Sequence, residues 1–362
     1  MSLEIINLQG TPEQMARQHA EACYDSAREM IRARCDLALK RGREKQDDLT
    51  MENCLEVAAE HLTAQEDYSP AVHAEFTALA DALDVGAEEL LIGNGFTDYI
   101  DVLRGELSGE GEGCTSFIAT GDATADGVTY VGQTWDMNAF AEPHMRVFRR
   151  TPEDAPAWVT LTTAGCLSLI GMNEAQIAVG NTNVRPRDAR PGVMYLAMIH
   201  EALRSPDYAS ARAAIAWAER ASGHYYYVAS ISGSATGLET TATRETALPI
   251  HDGLLVHANH YHDPTLEELS DGPADDNTLG REALLDGYLR ERAGELTLDC
   301  LIEGLRLDRG AHPVCRPPAD DPDEVTTCAA AIMCPELRKM WIADGNPGET
   351  EFVEVRVWQR EK

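Results

Sequence analysis

The sequence predicts an α+β protein in which a helical N-terminal leader precedes sheets that are covered by further helices. Apolar residues recur at helical spacing through the N-terminal third of the chain. From Cys114 onward, short segments rich in β-branched and aromatic residues are separated by turn residues, which is typical of strands. Runs of these strands alternate with pairs of helices and not one to one, which favours antiparallel or mixed sheets over a doubly wound parallel sheet.

Four helices are predicted in the leader. The first covers 11–42, because Thr11 is a suitable cap, Pro12 stands at the first helical position, and two basic residues and Gly42 end the pattern. Further helices are predicted over 50–64, 69–83 and 87–91. An acidic, glycine-rich run over 107–113 follows, and its composition is typical of the flexible segment that a processing site needs.

The predicted strands follow this run and are separated by turns such as Gly121-Asp122 and Asp126-Gly127. They cover 115–120, 128–134, 145–150, 158–163, 167–172, 176–180, 224–231, 239–243, 254–259, 328–333, 339–343 and 351–358. Helices are predicted over 194–221, with a break at Ser205-Pro206, and over 279–292 and 298–305.

Composition indicates a globular protein and argues against several classes of partner. The hydrophobic content of 44% fits a packed core, and no apolar stretch approaches the length of a membrane span. The N-terminus has no basic region followed by an apolar one, so we expect a soluble, cytoplasmic protein without a secretory signal. The formal net charge of −31 disfavours nucleic acid and anionic membranes as partners.

The cysteines and histidines predict no metal site. The nine cysteines are scattered, odd in number and without a close C-x-x-C pair, so neither a disulfide framework nor a zinc cage is indicated. His257, His260, His262 and Asp263 are residue types that bind metals, but strand periodicity would point His257 and His260 to opposite faces. The expected protein therefore needs no metal and no organic cofactor.

Cys114 differs from the other cysteines because it follows a glycine and opens the strand-rich part of the chain. A free cysteine is most often a small core hydrophobe, so this residue needs further support. Cleavage of the Gly113–Cys114 bond would make Cys114 an N-terminus whose α-amine, with a pKa of about 8, can take the thiol proton. Glycine before the nucleophile suits the strained backbone that such an attack requires.

Five short motifs follow one another in order from this point. They are Gly113-Cys114-Thr115-Ser116, Gly132-Gln133-Thr134-Trp135-Asp136, the segment 171–179, Asn181-Thr182-Asn183 and His257-Ala258-Asn259-His260-Tyr261. Together they resemble the isopenicillin-N acyltransferase-like (acyl-coenzyme A:6-aminopenicillanic acid acyltransferase-like) family of cysteine N-terminal nucleophile hydrolases. The resemblance implies a four-layer αββα fold with two antiparallel sheets between helices. It also implies a zymogen, with a helical α chain over 1–113 and a catalytic β chain over 114–362.

The resemblance implies acyl transfer from a small amide, through a thioester on Cys114, to water or to an amine. Acyl-coenzyme A is a candidate substrate in the acyltransferase branch. The tetrahedral oxyanion needs donors, for which an asparagine amide is suitable, and we expect Asn183 in this role with Asn181 as the alternative.

Further site residues are predicted around the nucleophile. Asp136 would orient the α-amine or a cationic substrate group, and Asn259, which shares a strand face with His257, would support the Cys114 site. Thr115, Trp135 and His257 are the predicted substrate-binding residues.

Two other functions stay open from the sequence. One is an uncleaved, non-catalytic binding protein of the same fold. The other is a thiol hydrolase of the Cys–His type, in which His257 or His260 is the base for an internal Cys114. The sequence leaves the oligomeric state open, including a homo-oligomer.

Overall fold

The structure, a computed structural model, describes residues 3–104 and 113–357. Except for Gly113, the acidic run over 107–113 lies outside the described residues, as does the end of the last predicted strand. The helices are α1 (Pro12–Arg43), α2 (Met51–Tyr68), α3 (Pro70–Leu83), α4 (Ala87–Asn94), α5 (Phe96–Arg104), α6 (Tyr195–Arg204), α7 (Tyr208–Ala216), α8 (Pro264–Glu267), α9 (Asp276–Arg290) and α10 (Leu298–Leu305), with a 3₁₀ helix at Ala139–His144.

The described strands form two sheets. Their bounds are β1 (Ile5–Gly10), β2 (Ser116–Ala119), β3 (Tyr130–Asn138), β4 (Met145–Pro152), β5 (Trp158–Thr163), β6 (Ile170–Asn173), β7 (Ile177–Val184), β8 (Gly223–Ser230), β9 (Ala235–Thr240), β10 (Glu245–Leu248), β11 (Leu254–His257), β12 (Val325–Cys334), β13 (Lys339–Asp344) and β14 (Val353–Arg356). An eight-stranded sheet has the order β1-β4-β5-β6-β7-β8-β9-β10, and a six-stranded sheet has the order β11-β2-β3-β12-β13-β14.

The elements stack in four layers, which confirms the predicted αββα architecture. Helices α1, α6 and α7 pack on the eight-stranded sheet, β3 and β7 bring the two sheets into contact, and α9 and α10 pack on the six-stranded sheet. Strand alternation supplies both faces: Phe117 joins the apolar cluster beneath α9 and α10, whereas Ile118 joins the larger cluster that contains the leader.

Two details of the leader and the sheets were not predicted. The leader is not purely helical, because β1 precedes α1 and pairs with β4, with Ile5 opposite Val147. This pairing is parallel, so the eight-stranded sheet is not wholly antiparallel. The segment is short and lies at the sheet edge with Leu8 buried, which leaves little periodicity to detect. The predicted start of α1 is confirmed by a capping box between Thr11 and Gln14.

A buried ionic cluster joins the leader to the eight-stranded sheet. Arg150 of β4 donates to the carboxylate of Glu75 in α3, and Nε2 of His200 in α6 lies 3.4 Å from the same carboxylate. Burial raises the pKa of Glu75, but the charges of Arg150 and His200 outweigh it and lower this pKa to about 2. The leader is therefore attached to the sheet through one buried charge cluster as well as through apolar packing.

Candidate active site

A small cavity lies between the two sheets at Cys114. Five of the residues predicted from the sequence line it, and leader, strand and helix residues complete the wall. The lining comprises Thr97, Cys114, Trp135, Asp136, Met137, Asn181, Asn183, Tyr195 and His224. Strands β3 and β7 and the residues that precede β2 thus bring together five predicted residues at this cavity: Cys114, Trp135, Asp136, Asn181 and Asn183.

The six-stranded sheet holds the backbone around Cys114. The amide of Thr115 donates to Oγ1 of Thr134 over 3.1 Å, and the amide of Thr134 donates to the Thr115 carbonyl over 2.9 Å. Thr115 itself is fully buried beside Cys114 and does not line the cavity. Residues 181 and 183 are two apart on β7 and therefore face the same side of the strand.

Asp136 is buried and paired with a cation. Its Oδ1 accepts a hydrogen bond from the Thr327 hydroxyl over 2.8 Å, and its Oδ2 lies 3.2 Å from Nε of Arg316. Burial raises the pKa of this carboxyl, while the charges of Arg316 and Arg281 oppose the rise. Asp136 in turn is the acidic residue whose charge raises the pKa of the Cys114 thiol.

Arg281 of α9 reaches the backbone of the predicted nucleophile. Its Nη1 donates to the carbonyl of Cys114 over 2.7 Å and to Oγ1 of Thr115 over 2.8 Å. Its Nη2 donates to Oδ1 of Asn259 over 2.7 Å, and Nδ2 of Asn259 donates to the Asn183 carbonyl over 2.8 Å. Asn259 is thus connected to the site through Arg281 and β7, outside the cavity lining.

Gly113 lies between two guanidinium groups. A Cβ atom built on Gly113 would lie 2.5 Å from Nη2 of Arg281 and 2.8 Å from Nη2 of Arg316. Both arginines also donate to Oδ1 of Asn277, each over 2.8 Å, which holds them side by side. A side chain at position 113 would therefore displace the two guanidinium groups, which glycine leaves in place.

The leader contributes a second polar cluster to the cavity wall. Nδ2 of Asn181 donates to Nδ1 of His224 over 3.0 Å, and Nε2 of His224 lies 2.6 Å from Oδ1 of Asp98 in α5. Oδ2 of Asp98 accepts the amide of Tyr195 over 2.8 Å. Both ring nitrogens of His224 are thus engaged.

His257 does not line the cavity. The ring is fully buried, its Nε2 lies 2.9 Å from Oε1 of Glu239, and it stacks on Tyr225 with ring centroids 3.9 Å apart. The prediction that His257 and His260 point to opposite faces was wrong, because β11 ends at His257 and the loop that follows brings the two ring centroids to 6.3 Å.

Sequence reasoning missed Asp98, His224, Arg281 and Arg316. An arginine in a helix is usually exposed, so burial of Arg281 could not be read from the sequence. His224 lies in a strand rich in tyrosine, where nothing marks one residue as a cavity residue. Asn277 lies one turn earlier on α9 and accepts a hydrogen bond from Arg281. An asparagine at that spacing from an arginine does not indicate a site.

The Cys114 thiol is held in its protonated form. Burial, followed by the charge of Asp136, raises its pKa to about 12, although the Asp136 backbone amide, Arg281 and Arg316 oppose the rise. Because the thiolate is the nucleophile, an internal Cys114 needs a base near its sulfur.

No helix in the described residues is both long and apolar enough to cross a membrane.

Comparisons with known proteins place the chain in a family. Solved structures that resemble the fold include two variants of the conjugated bile acid hydrolase from Clostridium perfringens. One variant has 13% identity and a TM-score of 0.45, covering 68% of this chain and 98% of that chain. A second variant has 12% identity and a TM-score of 0.43, covering 68% of this chain and 97% of that chain.

A penicillin V acylase from Agrobacterium tumefaciens has 12% identity and a TM-score of 0.38, covering 64% of this chain and 82% of that chain. These scores are too low to transfer a residue role or a substrate. The family model described as acyl-coenzyme A:6-aminopenicillanic acid acyl-transferase matches residues 123–349, which include Asp136, both asparagines of β7, Asn259 and both arginines. This match spans more than half of the chain, and the chain therefore belongs to the acyl-coenzyme A:6-aminopenicillanic acid acyl-transferase family.

Proposed function

We propose that the protein is a self-cleaving cysteine amidohydrolase or acyltransferase that carries the acyl group of a small amide as a thioester on Cys114. The observation that carries this proposal is that a thiol, a carboxylate and two asparagines line one cavity. The thiol belongs to Cys114, which directly follows a glycine that lies between two guanidinium groups. Family membership supports the acyl-transfer chemistry.

Self-cleavage would be an acyl shift from nitrogen to sulfur. The Cys114 sulfur attacks the Gly113 carbonyl carbon, the carbon–nitrogen bond breaks, and the thiol proton ends on the freed nitrogen of Cys114. Water then hydrolyses the thioester, which releases the Gly113 carboxylate and restores the thiol. Arg281 and Arg316 flank Gly113, so their N–H groups are candidates to stabilise the oxyanion of this step.

The freed amine would be the base for turnover. In the uncut chain, burial raises the pKa of the Cys114 thiol to about 12. The α-amine that cleavage releases, with an ordinary pKa of about 8, would supply a base next to the sulfur. Buried Asp136 would hold this amine close to the sulfur. Trp135, Met137 and Tyr195 would contact the apolar part of the acyl group.

Two observations bear on the thiol–histidine alternative. His257 and His260 do not line the cavity, and both nitrogens of His224, which does line it, already have partners. An amine produced by cleavage supplies the base without displacing either partner. The uncleaved binding protein is the other alternative, and trapping of an acyl intermediate separates it from an enzyme.

The proposed function is tested by trapping the acyl intermediate. The mature protein is mixed with amides that share one amine and differ in linear, branched or aromatic acyl group, and with acyl-coenzyme A donors. We expect product release together with an acyl adduct on the fragment that begins with Cys114, detected by intact mass spectrometry. Cys300→Ser is the matched control, because this less buried thiol on α10 lies outside the site and its loss should leave the adduct unchanged. A cleaved, folded protein that yields neither adduct nor product contradicts the proposal.

A separate prediction concerns the oxyanion donor. Asn181 already donates to His224, so Asn183 remains our first choice for the donor that faces the substrate. We expect Asn183→Ala to lower kcat by roughly 10²–10³-fold with little change in KM, because the donor acts on charge that develops in the transition state. Asn181→Ala, on the same face of β7, is the matched comparison. A larger loss of kcat in Asn181→Ala than in Asn183→Ala would make Asn181 the oxyanion donor. A loss of kcat below about tenfold in both variants would exclude an asparagine donor on β7.

A further inference from the structure

A cluster of three histidines and two glutamates lies behind the candidate active site. Its members come from β9, the end of β11, the loop that follows it and α9. They are Glu239, His257, His260, His262 and Glu282. Two groups within it, Glu239–His257–His262 and His260–His262–Glu282, each offer three ligand atoms that lie within 4.8 Å of one another.

The inner group is already satisfied by hydrogen bonds. Oε1 of Glu239 lies 2.9 Å from Nε2 of His257 and also accepts the amide of His262, while Oε2 accepts the amide of Asp263 over 2.9 Å. Both Glu239 and His257 are fully buried. This inner group is therefore a buried hydrogen-bond network that needs no metal ion.

The outer group has the arrangement of a ligand set. Nε2 of His260 and Nε2 of His262 lie 3.6 Å and 2.9 Å from the same Oε1 of Glu282. Donor atoms of one ion with bonds of about 2.0–2.2 Å lie roughly 3 Å apart, so small side-chain rotations would give that spacing. All three side chains are partly exposed, which leaves an ion a path from solvent.

Neighbouring residues form hydrogen bonds that fix the orientation of His260 and Glu282. Nδ1 of His260 lies 3.1 Å from the Thr278 hydroxyl, and Oε2 of Glu282 accepts the amide of Ala258 over 3.0 Å. A partner on the second ring nitrogen fixes the orientation of a ligating imidazole and leaves the first nitrogen for the metal.

We propose that His260, His262 and Glu282 bind one divalent transition-metal ion of the zinc class, with water completing the coordination. Two imidazole nitrogens and one carboxylate oxygen favour zinc, cobalt or nickel over magnesium and calcium, which prefer oxygen ligands. The site is independent of self-cleavage, so its test does not depend on the proposed enzymatic function.

An ion at this position would fix the loop that supports the active site. The loop from Ala258 to His262 carries Asn259, and Asn259 contacts both Arg281 and β7. Glu282 is the next residue after Arg281 on α9. Binding of the ion would therefore hold the arginine that contacts Cys114, and we expect it to raise the melting temperature by a few degrees at saturating Zn²⁺.

The test uses Zn²⁺ and the uncut Cys114→Ala chain, so that neither the active-site thiol nor a freed amine can bind the ion. Equilibrium dialysis should give one Zn²⁺ per chain. The absorption spectrum of the Co²⁺-substituted chain should be typical of cobalt bound by nitrogen ligands. We expect His260→Asn and Glu282→Gln to weaken binding by at least roughly 100-fold, since even loss of a supporting residue costs 10–100-fold. His251→Asn, which changes an exposed histidine outside the cluster, should bind as tightly as the parent.

A second variant covers the case in which a ligand substitution prevents folding. Thr278→Val removes the hydroxyl that lies beside Nδ1 of His260 and also accepts the amide of Asn259. We expect it to leave the ligand atoms in place and to weaken Zn²⁺ binding by about 10–100-fold. A parent chain that binds no stoichiometric Zn²⁺ would overturn the proposal. Undiminished affinity in folded His260→Asn and Glu282→Gln variants would overturn it as well.

Discussion

The Cys114→Ala variant is expected to remain one uncut chain and to lose amide turnover by on the order of 10⁵–10⁶-fold, as enzymes do when the nucleophile is removed. The same sulfur would attack the Gly113 carbonyl and the substrate carbonyl, so one substitution removes both reactions. Burial of Cys114 among apolar residues and the small change in volume argue for an intact fold in the variant.

Denaturing gel electrophoresis, intact mass and N-terminal sequencing measure the first effect. The parent should give two fragments, one of which begins Cys-Thr-Ser-Phe, and the variant should give the full-length chain. The Cys300→Ser chain should be cut like the parent. A Cys114→Ala chain that is still cut between residues 113 and 114, or that keeps turnover within about tenfold of the parent, would show that Cys114 is not the nucleophile.

The Arg281→Met variant is expected to have the next largest effect, a loss of kcat on the order of 10³-fold. Methionine keeps the apolar length of the side chain but removes the donors to Cys114, Thr115 and Asn259. The Cys114 carbonyl and the Asn259 amide oxygen then lose a buried donor, so we also expect the free energy of unfolding to fall by about 3 kcal/mol.

Two comparison variants distinguish a positioning role for Arg281 from a purely structural one. Arg281→Lys keeps the charge without the planar fork, so it should restore stability more than kcat. Arg290→Met, on the exposed part of the same helix, should change neither quantity much, because its ion pair with the half-exposed Asp286 is open to solvent. Urea unfolding and steady-state kinetics on the three variants measure both effects. An Arg281→Met chain with the kcat of Arg290→Met would exclude the positioning role.

Local patterns were sufficient for most of the fold. The strand Trp158–Thr163 and the helix Leu298–Leu305 occur at the predicted bounds. The start of α1 was also predicted, since capping and proline positions depend on neighbouring residues only. Four elements were not predicted: β1, α5, β10 and the one-turn helix α8. Two of these are short strands at the edges of the eight-stranded sheet, and α5 follows α4 after only Gly95, so the pattern of a separate element is weak.

Only part of the candidate site could be predicted from local patterns. Ordered motifs identified Cys114, Asp136 and the asparagines of β7 as one group, and the structure gathers them around one cavity. The cation that contacts the Cys114 backbone comes from a helix far along the chain, with a sequence separation of 167 in the hydrogen bond to the carbonyl. Strand periodicity also failed beyond His257, because it holds only while the strand continues.

The sequence by itself indicated the order of most elements, the family and the nucleophile candidate, because each depends on residue type and spacing along the chain. Only the tertiary structure decided which charges surround Cys114. Burial of Arg281, the pairing of Asp136 with Arg316 and the placing of Gly113 between two guanidinium groups all follow from how α9 and the segment before β12 pack against the six-stranded sheet. Electrostatic environment is a property of distance through space, and these distances exist only after the layers have assembled.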